Sequence, residues 1–269
     1  MAELLKKTVF VTGASAGIGA ACVRRFAAAG WRVAAGARRL DRLEALAAEV
    51  GAAHPLVEVL PLACDVDSDA SVAEAFRRIG ERFGRLDALV NNAGFGHYGT
   101  VESLPIDAFR ACMETNFFGV LRCTKAALPL LKSAAAEART RNGAAVVMVS
   151  SIVGVRAFPG AGAYCASKFA LEGLAETLRV ELRDDCISVS AINPGVTQTD
   201  FFAVAEGQRP AGFVTAKAGM SSAEVAEVIF RAVRRPRRNA YLTLPGKAGV
   251  LLQWISPRLF DYVLGRMWK

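Results

Sequence analysis

Lys7 to Val11 is a short apolar run that closes directly on Thr12-Gly13-Ala14-Ser15-Ala16-Gly17-Ile18-Gly19, and a helical pattern from Ala20 to Ala29 follows at once. Strand, glycine turn and helix in that order form the context a phosphate-binding loop requires. Gly13 permits a tight turn, Gly17 lets backbone approach a pyrophosphate, and Gly19 lets the helix pack against a sheet. The helix start adds free N–H groups and a partial positive charge. The spacing is Gly-x3-Gly-x-Gly rather than the Gly-x-Gly-x2-Gly of many dinucleotide folds. An ordinary glycine-rich turn is the competing reading, and the position immediately behind the first strand weighs against it.

The same strand-then-helix alternation runs on. Trp31 to Ala37 reads as a second strand, with Ala37 where an acid would bind an adenosine ribose diol and Arg38-Arg39 next. Arg38 suits a 2′-phosphate that an acid would repel. Alternatively, both arginines are solvated residues ahead of a charged helix. Leu56 to Leu62 is a third strand closed by Cys64-Asp65-Val66, and Asp65 can accept from an adenine amino group or open the turn before a helix from Asp69 to Arg82. Leu86 to Val90 is a fourth, ending in Asn91-Asn92-Ala93-Gly94. Ligands in open parallel sheets bind at strand carboxyl ends, so these turns face one crevice.

Chemistry concentrates further along. A helix from about Ile106 to Lys132 carries Asn116, a polar amide in an apolar stretch that either stabilises a kink or binds an ordered water. Before it, His97 and Tyr98 line a substrate cavity or pack the loop. A fifth strand, Ala144 to Ser150, precedes Ser151, and a helix from Ala163 to Leu182 holds Tyr164 and Lys168 on one face. An ammonium beside a phenol favours the phenolate, which suits acid–base work. By spacing alone this pair reads as a solvated helix face. A sixth strand, Ile187 to Ile192, exits through Asn193-Pro194-Gly195-Val196-Thr197-Gln198-Thr199, where Thr199 can donate to an amide or phosphate. Phe201 to Met220 lacks clean periodicity and suits a lid spanning about 196–220. Ser221 to Val233 is a helix capped by Ser221 or Ser222 with Glu224 near its start, and Asn239 to Leu244 is a seventh strand.

With these residues in hand, the chain resembles the short-chain dehydrogenase/reductase family in its NADP-preferring type. Thr12-Gly13-x3-Gly17-Ile18-Gly19, Asp65-Val66, Asn91-Asn92-Ala93-Gly94, Asn116, Ser151, Tyr164-x3-Lys168 and Asn193-Pro194-Gly195 carry the resemblance in order, over residues 7 to about 244. It implies a single Rossmann-like α/β domain, a doubly wound seven-stranded parallel sheet with helices on both faces. It implies catalysis by Asn116, Ser151, Tyr164 and Lys168, with Tyr164 as proton donor, Ser151 on the same substrate oxygen, Lys168 on the Tyr164 pKa and the nicotinamide ribose, and Asn116 on a relay water. It implies an NADP(H) site from Gly13, Ser15, Gly17, Ile18, Gly19, Arg38, Asp65, Val66, Asn92, Ala93, Gly94, Tyr164, Lys168, Pro194, Gly195, Thr197 and Thr199. Thr197 departs from the family's frequent Val, and Ala16 stands where many NADP-preferring members carry a basic residue. Cofactor choice therefore rests on Arg38, with Ser15 as helper. The expected activity interconverts an alcohol and a ketone or aldehyde on a hydrophobic small molecule, in a homodimer or homotetramer. The alternative is a non-catalytic NADP-binding or scaffold protein of the same fold.

Bulk properties fit this reading. No linker divides the 269 residues, so residues 1–245 read as one catalytic domain and 246–269 as an extension. Met1 to Lys7 lacks a signal peptide's apolar middle, and a cytoplasmic or membrane-peripheral location is expected. Six scattered cysteines without Cys-x-x-Cys read as reduced core residues, and two lone histidines give no metal set. From Arg231 to Lys269 nine Lys/Arg meet one acid, Asp261, and the rest of the chain is balanced. The Arg234 to Arg238 cluster lacks an aromatic platform for nucleic acid. The basic, apolar extension can lie on an anionic membrane as an interfacial helix pair, cover the cleft, meet a second subunit, or simply pack on its own domain.

Overall fold

The computed structural model describes residues 7–138, 140, 142–198, 206–207 and 219–268. Thr199 and most of the expected lid lie outside the described residues.

The first half alternates strictly. Strands Thr8–Thr12 (β1), Arg32–Ala37 (β2), Val59–Ala63 (β3) and Ala88–Asn91 (β4) are separated by helices Gly17–Ala28 (α1), Leu40–Ala53 (α2) and Asp69–Phe83 (α3). β1 is buried at every position and β2 at all but its first, as a parallel sheet covered on both faces demands. The third strand starts at Val59 rather than Leu56, because Leu56 is exposed and pairing with β2 begins at Val33–Val59.

The second half builds outward from β4. After a two-residue strand, His97–Tyr98 (β5), come helix Ile106–Met113 (α4), a π-helical turn Glu114–Phe118 and helix Gly119–Ala138 (α5). The helix expected over 106–132 is thus interrupted at Asn116 and runs six residues further, because Ala134 and Ala135 are buried on the sheet. Strand Ala144–Val149 (β6), a 3-10 turn Ile152–Gly154, helix Gly162–Glu181 (α6) and strand Ile187–Asn193 (β7) follow. Two-residue strands Thr197–Gln198 (β8), Glu206–Gly207 (β9) and Met220–Ser221 (β10) precede helix Ser222–Arg234 (α7) and strand Asn239–Tyr241 (β11). Ser221 and Glu224 close a reciprocal capping box on α7. The chain ends in two helices, Leu244–Ile255 (α8) and Pro257–Trp268 (α9). β11 stops at Tyr241, short of Leu244, because the Thr243 hydroxyl already caps α8 by accepting from the Gly246 N–H.

One seven-stranded sheet runs β3-β2-β1-β4-β6-β7-β11, every pair parallel. Phe26, Leu43, Ile229 and Phe230 put α1, α2 and α7 on one face, and Phe76, Leu131 and Leu171 put α3, α5 and α6 on the other. The strand order reverses between β1 and β4, and a crevice opens at their carboxyl ends.

Candidate active site

The crevice is stitched together by its own loops. The Thr12 hydroxyl accepts from the backbone N–H of Asn92 at 3.0 Å and of Ala93 at 3.1 Å. The Asn92 amide donates back to the Thr12 carbonyl at 2.9 Å and the Gly13 carbonyl at 3.2 Å. This closeness leaves no room for side chains. A Cβ on Gly13 would lie 2.8 Å from the Ala93 Cα, and one on Gly19 would lie 2.2 Å from the Gly13 carbonyl oxygen. Gly13 and Gly17 also have φ of +64° and +54°, in the left-handed region. The first turn of α1 carries no side-chain cap and no acid, so its N–H groups stay available to an anion.

At the adenosine end of the crevice, Arg38 and Arg39 are exposed beyond β2. Arg39, which carries no motif, donates to the Ser15 hydroxyl at 3.0 Å. Asp65 closes β3 and accepts from the Asp67 N–H at 3.2 Å. Val66 packs where a Cβ on Gly119 would approach within 2.8 Å.

Asn116 sits in the π-turn, fully buried. Its Oδ1 accepts from the Phe95 N–H at 3.0 Å, and its Nδ2 donates to the Phe95 carbonyl at 2.8 Å and the Ser167 hydroxyl at 2.9 Å. Of the two alternatives, the side chain matches the kink, clamping the loop after β4 onto α6. Gly94 lies in the same knot, and a Cβ there would stand 2.8 Å from Asn116 Oδ1 and 3.5 Å from Lys168 Nζ.

Ser151, Tyr164 and Lys168 converge here. Ser151 ends the β6 run and its hydroxyl hydrogen-bonds the Tyr164 phenol. Lys168 Nζ lies 5.7 Å from the Tyr164 ring centroid and donates to the Val149 carbonyl at 2.9 Å. Burial pushes the Tyr164 phenol well up, Tyr98 adds to this, and the Ser151 hydrogen bond offsets part of it. Burial thus outweighs the pull expected from the Lys168 ammonium, and the phenol keeps its proton. Burial lowers the Lys168 ammonium to about 8, against the opposing charge of Glu172. Pro194 is tied in through its carbonyl, which accepts from the Ile152 N–H at 2.9 Å, while Gly195 abuts Thr243 and the Thr197 hydroxyl donates to the Gly195 carbonyl.

Sequence reasoning passed over Glu172, one helical turn beyond Lys168. It is buried and its Oε1 accepts from the Asn193 amide at 2.6 Å. Burial raises its carboxyl, and the Asn193 hydrogen bond opposes that. An acid at i+4 from a lysine on a buried helix face was the available signal. Tyr98 belongs to the site as well, buried with its ring 6.3 Å from that of Tyr164.

A glycine-lined crevice joined to a Ser–Tyr–Lys cluster defines a class of oxidoreductases. The short chain dehydrogenase family model matches residues 7–209, and this chain belongs to that family. Dehydrogenase/reductase SDR family member 7B of Rattus norvegicus is 35% identical, over 98% of this chain and 82% of its own. The uncharacterized oxidoreductase YusZ of Bacillus subtilis is 37% identical over 73% of this chain and 67% of its own. Among solved structures, an alcohol dehydrogenase from the archaeon Thermococcus sibiricus, complexed with 5-hydroxy-NADP, is 32% identical with a TM-score of 0.76, covering 89% of this chain and 96% of that one. A Burkholderia phymatum short chain dehydrogenase/reductase in complex with NAD shares the fold at TM-score 0.82 and 24% identity, over 96% of each chain.

Proposed function

We propose that this protein is an NADP(H)-dependent oxidoreductase that interconverts an apolar secondary or primary alcohol with its ketone or aldehyde. The observation that carries the reading is the buried Ser151–Tyr164–Lys168 cluster beside the glycine crevice. A bare nucleotide-binding module has no need of a buried phenol hydrogen-bonded to a serine.

The glycine cradle, the uncapped start of α1 and the Gly94 approach to Lys168 fit a dinucleotide. Gly13, Ser15, Gly17, Ile18 and Gly19 would hold its pyrophosphate. Asp65, Val66, Asn92, Ala93 and Gly94 would line the adenine and ribose path, and Pro194, Gly195, Thr197 and Thr199 the nicotinamide end. When bound, it supplies or accepts the hydride. In reduction, Tyr164 donates its phenolic proton to the substrate oxygen as charge develops there. Ser151 donates to the same oxygen and fixes its position. Lys168, as the ammonium, stabilises the phenolate that Tyr164 leaves behind, and Asn116 holds the loop that sets the Lys168 surroundings. An apolar substrate is supported by Tyr98, Ile152, Val153 and Phe158, which pack around Tyr164 and Cys165. A lid is supported by β9, whose Glu206–Gly207 backbone pairs with His97–Tyr98.

The preference for NADP rests on Arg38 and Arg39, with no acid between Ala37 and Leu40 to repel a 2′-phosphate. Arg38→Ala should raise the KM for NADPH far more than that for NADH, and Arg39→Ala should do the same through Ser15. Equal effects on both cofactors would refute the preference. The activity is tested by NADPH oxidation across apolar ketones, aldehydes and acyl thioesters. Turnover of apolar ketones or aldehydes is expected; a chain that binds NADPH and turns over none of the panel would be a scaffold.

A further inference from the structure

Eight of the fifteen exposed large apolar side chains among the described residues lie on α8 and α9. Leu244, Leu251 and Ile255 follow one another at helical spacing along a single stripe of α8, with Trp254, 83% exposed, at its margin. Leu259 and Tyr262 are exposed on α9. The opposite sides of α9 hold the pair to the domain. Phe260 and Leu264 are buried, Arg156 stacks 4.5 Å from the Phe260 ring, and the same Arg156 pairs with Asp261 at 2.5 Å.

Charge discriminates among occupants. The helix pair carries Lys247, Arg258 and Arg266, all exposed, and its one acid, Asp261, is engaged by Arg156. Two copies meeting through this face in a symmetric dimer would bring those cations together. An anionic lipid surface would attract them, while Trp254 and Tyr262 are the amphipathic rings that settle at a headgroup boundary. Among the described residues no helix is long and apolar enough to cross a membrane, so contact means lying on the surface.

We infer that α8 and α9 together dock this protein on an anionic phospholipid surface. The inward side of α8, opposite the docked face, lies next to the active site. A Cβ on Gly246 of α8 would meet the Ile152 side chain at 3.1 Å, one residue from Ser151. Resting on the proposed activity, this makes the substrate a lipid-soluble alcohol or carbonyl compound drawn from the bilayer.

Co-sedimentation of the full chain with vesicles tests the docking without any turnover. Strong sedimentation is expected with equal parts phosphatidylcholine and phosphatidylserine, and weak sedimentation with phosphatidylcholine alone. Lys247→Gln and Arg258→Gln should each weaken it by roughly 5-fold, the effect of about one surface-bound basic residue. Leu251→Ser with Trp254→Ser should abolish it while NADPH oxidation with a soluble ketone persists. The unsubstituted protein gives an independent readout, a blue shift of tryptophan emission on adding the anionic vesicles. Failure to sediment with either lipid, or unchanged sedimentation of the substituted proteins, would overturn the inference. So would conversion of a dimer to a monomer by Leu251→Ser with Trp254→Ser, which would make a second copy the occupant. Failure of the proposed activity would leave sedimentation unaffected.

Discussion

Tyr164 and Lys168 face opposite consequences of the same burial. The phenol is pushed up and keeps its proton, whereas the ammonium is brought down to about 8 and is close to losing its own. The ammonium form is the one that steadies a developing phenolate. Reductase kcat/KM should therefore hold below about pH 8 and fall above it as Lys168 deprotonates. Glu172 raises the Lys168 pKa, so Glu172→Gln should move that limb to lower pH. A limb that stays in place would show that the Glu172 charge does not reach Lys168. Tyr164 and Lys168 were legible in the sequence because Asn116, Ser151 and the glycine turn precede them in order; their spacing alone read as a solvated helix face. Glu172 and Arg39 were not, because their meaning comes from Asn193 and Ser15, 21 and 24 residues away. Only the closed fold brings those partners in.

At the scale of elements, the site depends on two joins, the Thr12–Asn92 stitch and the Asn116 clamp. Asn116→Ala removes a partner from the part-buried Phe95 N–H and carbonyl and from the buried Ser167 hydroxyl at once. A buried polar group left unmet costs about 1–3 kcal/mol, so the variant should unfold at clearly lower urea with turnover reduced as the Gly94 loop loosens. Unchanged stability would mean the π-turn holds its shape unaided. All seven sheet strands were readable as apolar runs between turn signals. Their ends were less so, since Val59 starts where pairing starts and Tyr241 ends where Thr243 caps. The π-turn itself has no periodicity of its own. Its only trace was one amide in an apolar helix. The C-terminal extension left four placements open from sequence, because its helices carry apolar residues on more than one side. The structure sorts them into Phe260 and Leu264 facing in, and Leu251, Trp254 and Ile255 facing out.

The whole molecule is held at the end of the sheet away from the site by a buried ionic group. Arg85 grips Asp87 through two hydrogen bonds of 3.0 and 2.8 Å, Asp87 accepts from the Thr8 N–H at 2.8 Å, and Glu137 on α5 completes the set. Asp87→Ala leaves Arg85 without its inner partner and should destabilise the fold by about 3–5 kcal/mol, read as a lower urea midpoint. A loss below about 1 kcal/mol, the scale of an exposed pair, would place the group in solvent instead. The opposite, carboxyl end of the sheet is where every expected site residue among those described collects, from Gly13 on β1's loop to Gly195 beyond β7. That division between a stabilising end and a reactive end follows from the strand-order reversal at β1 and β4. It also explains why the family was legible while the substrate was not. The motifs sit on the sheet, and the surfaces that meet the substrate lie on segments without motifs.

The proposed reaction turns on Tyr164 as the proton donor. Tyr164→Phe keeps the ring and removes only the hydroxyl. With NADPH and an apolar ketone, the variant should bind NADPH as the parent does and lose kcat/KM by about 10²–10⁴-fold, the contribution of general acid catalysis. A Tyr164→Phe protein with full turnover would contradict the assignment.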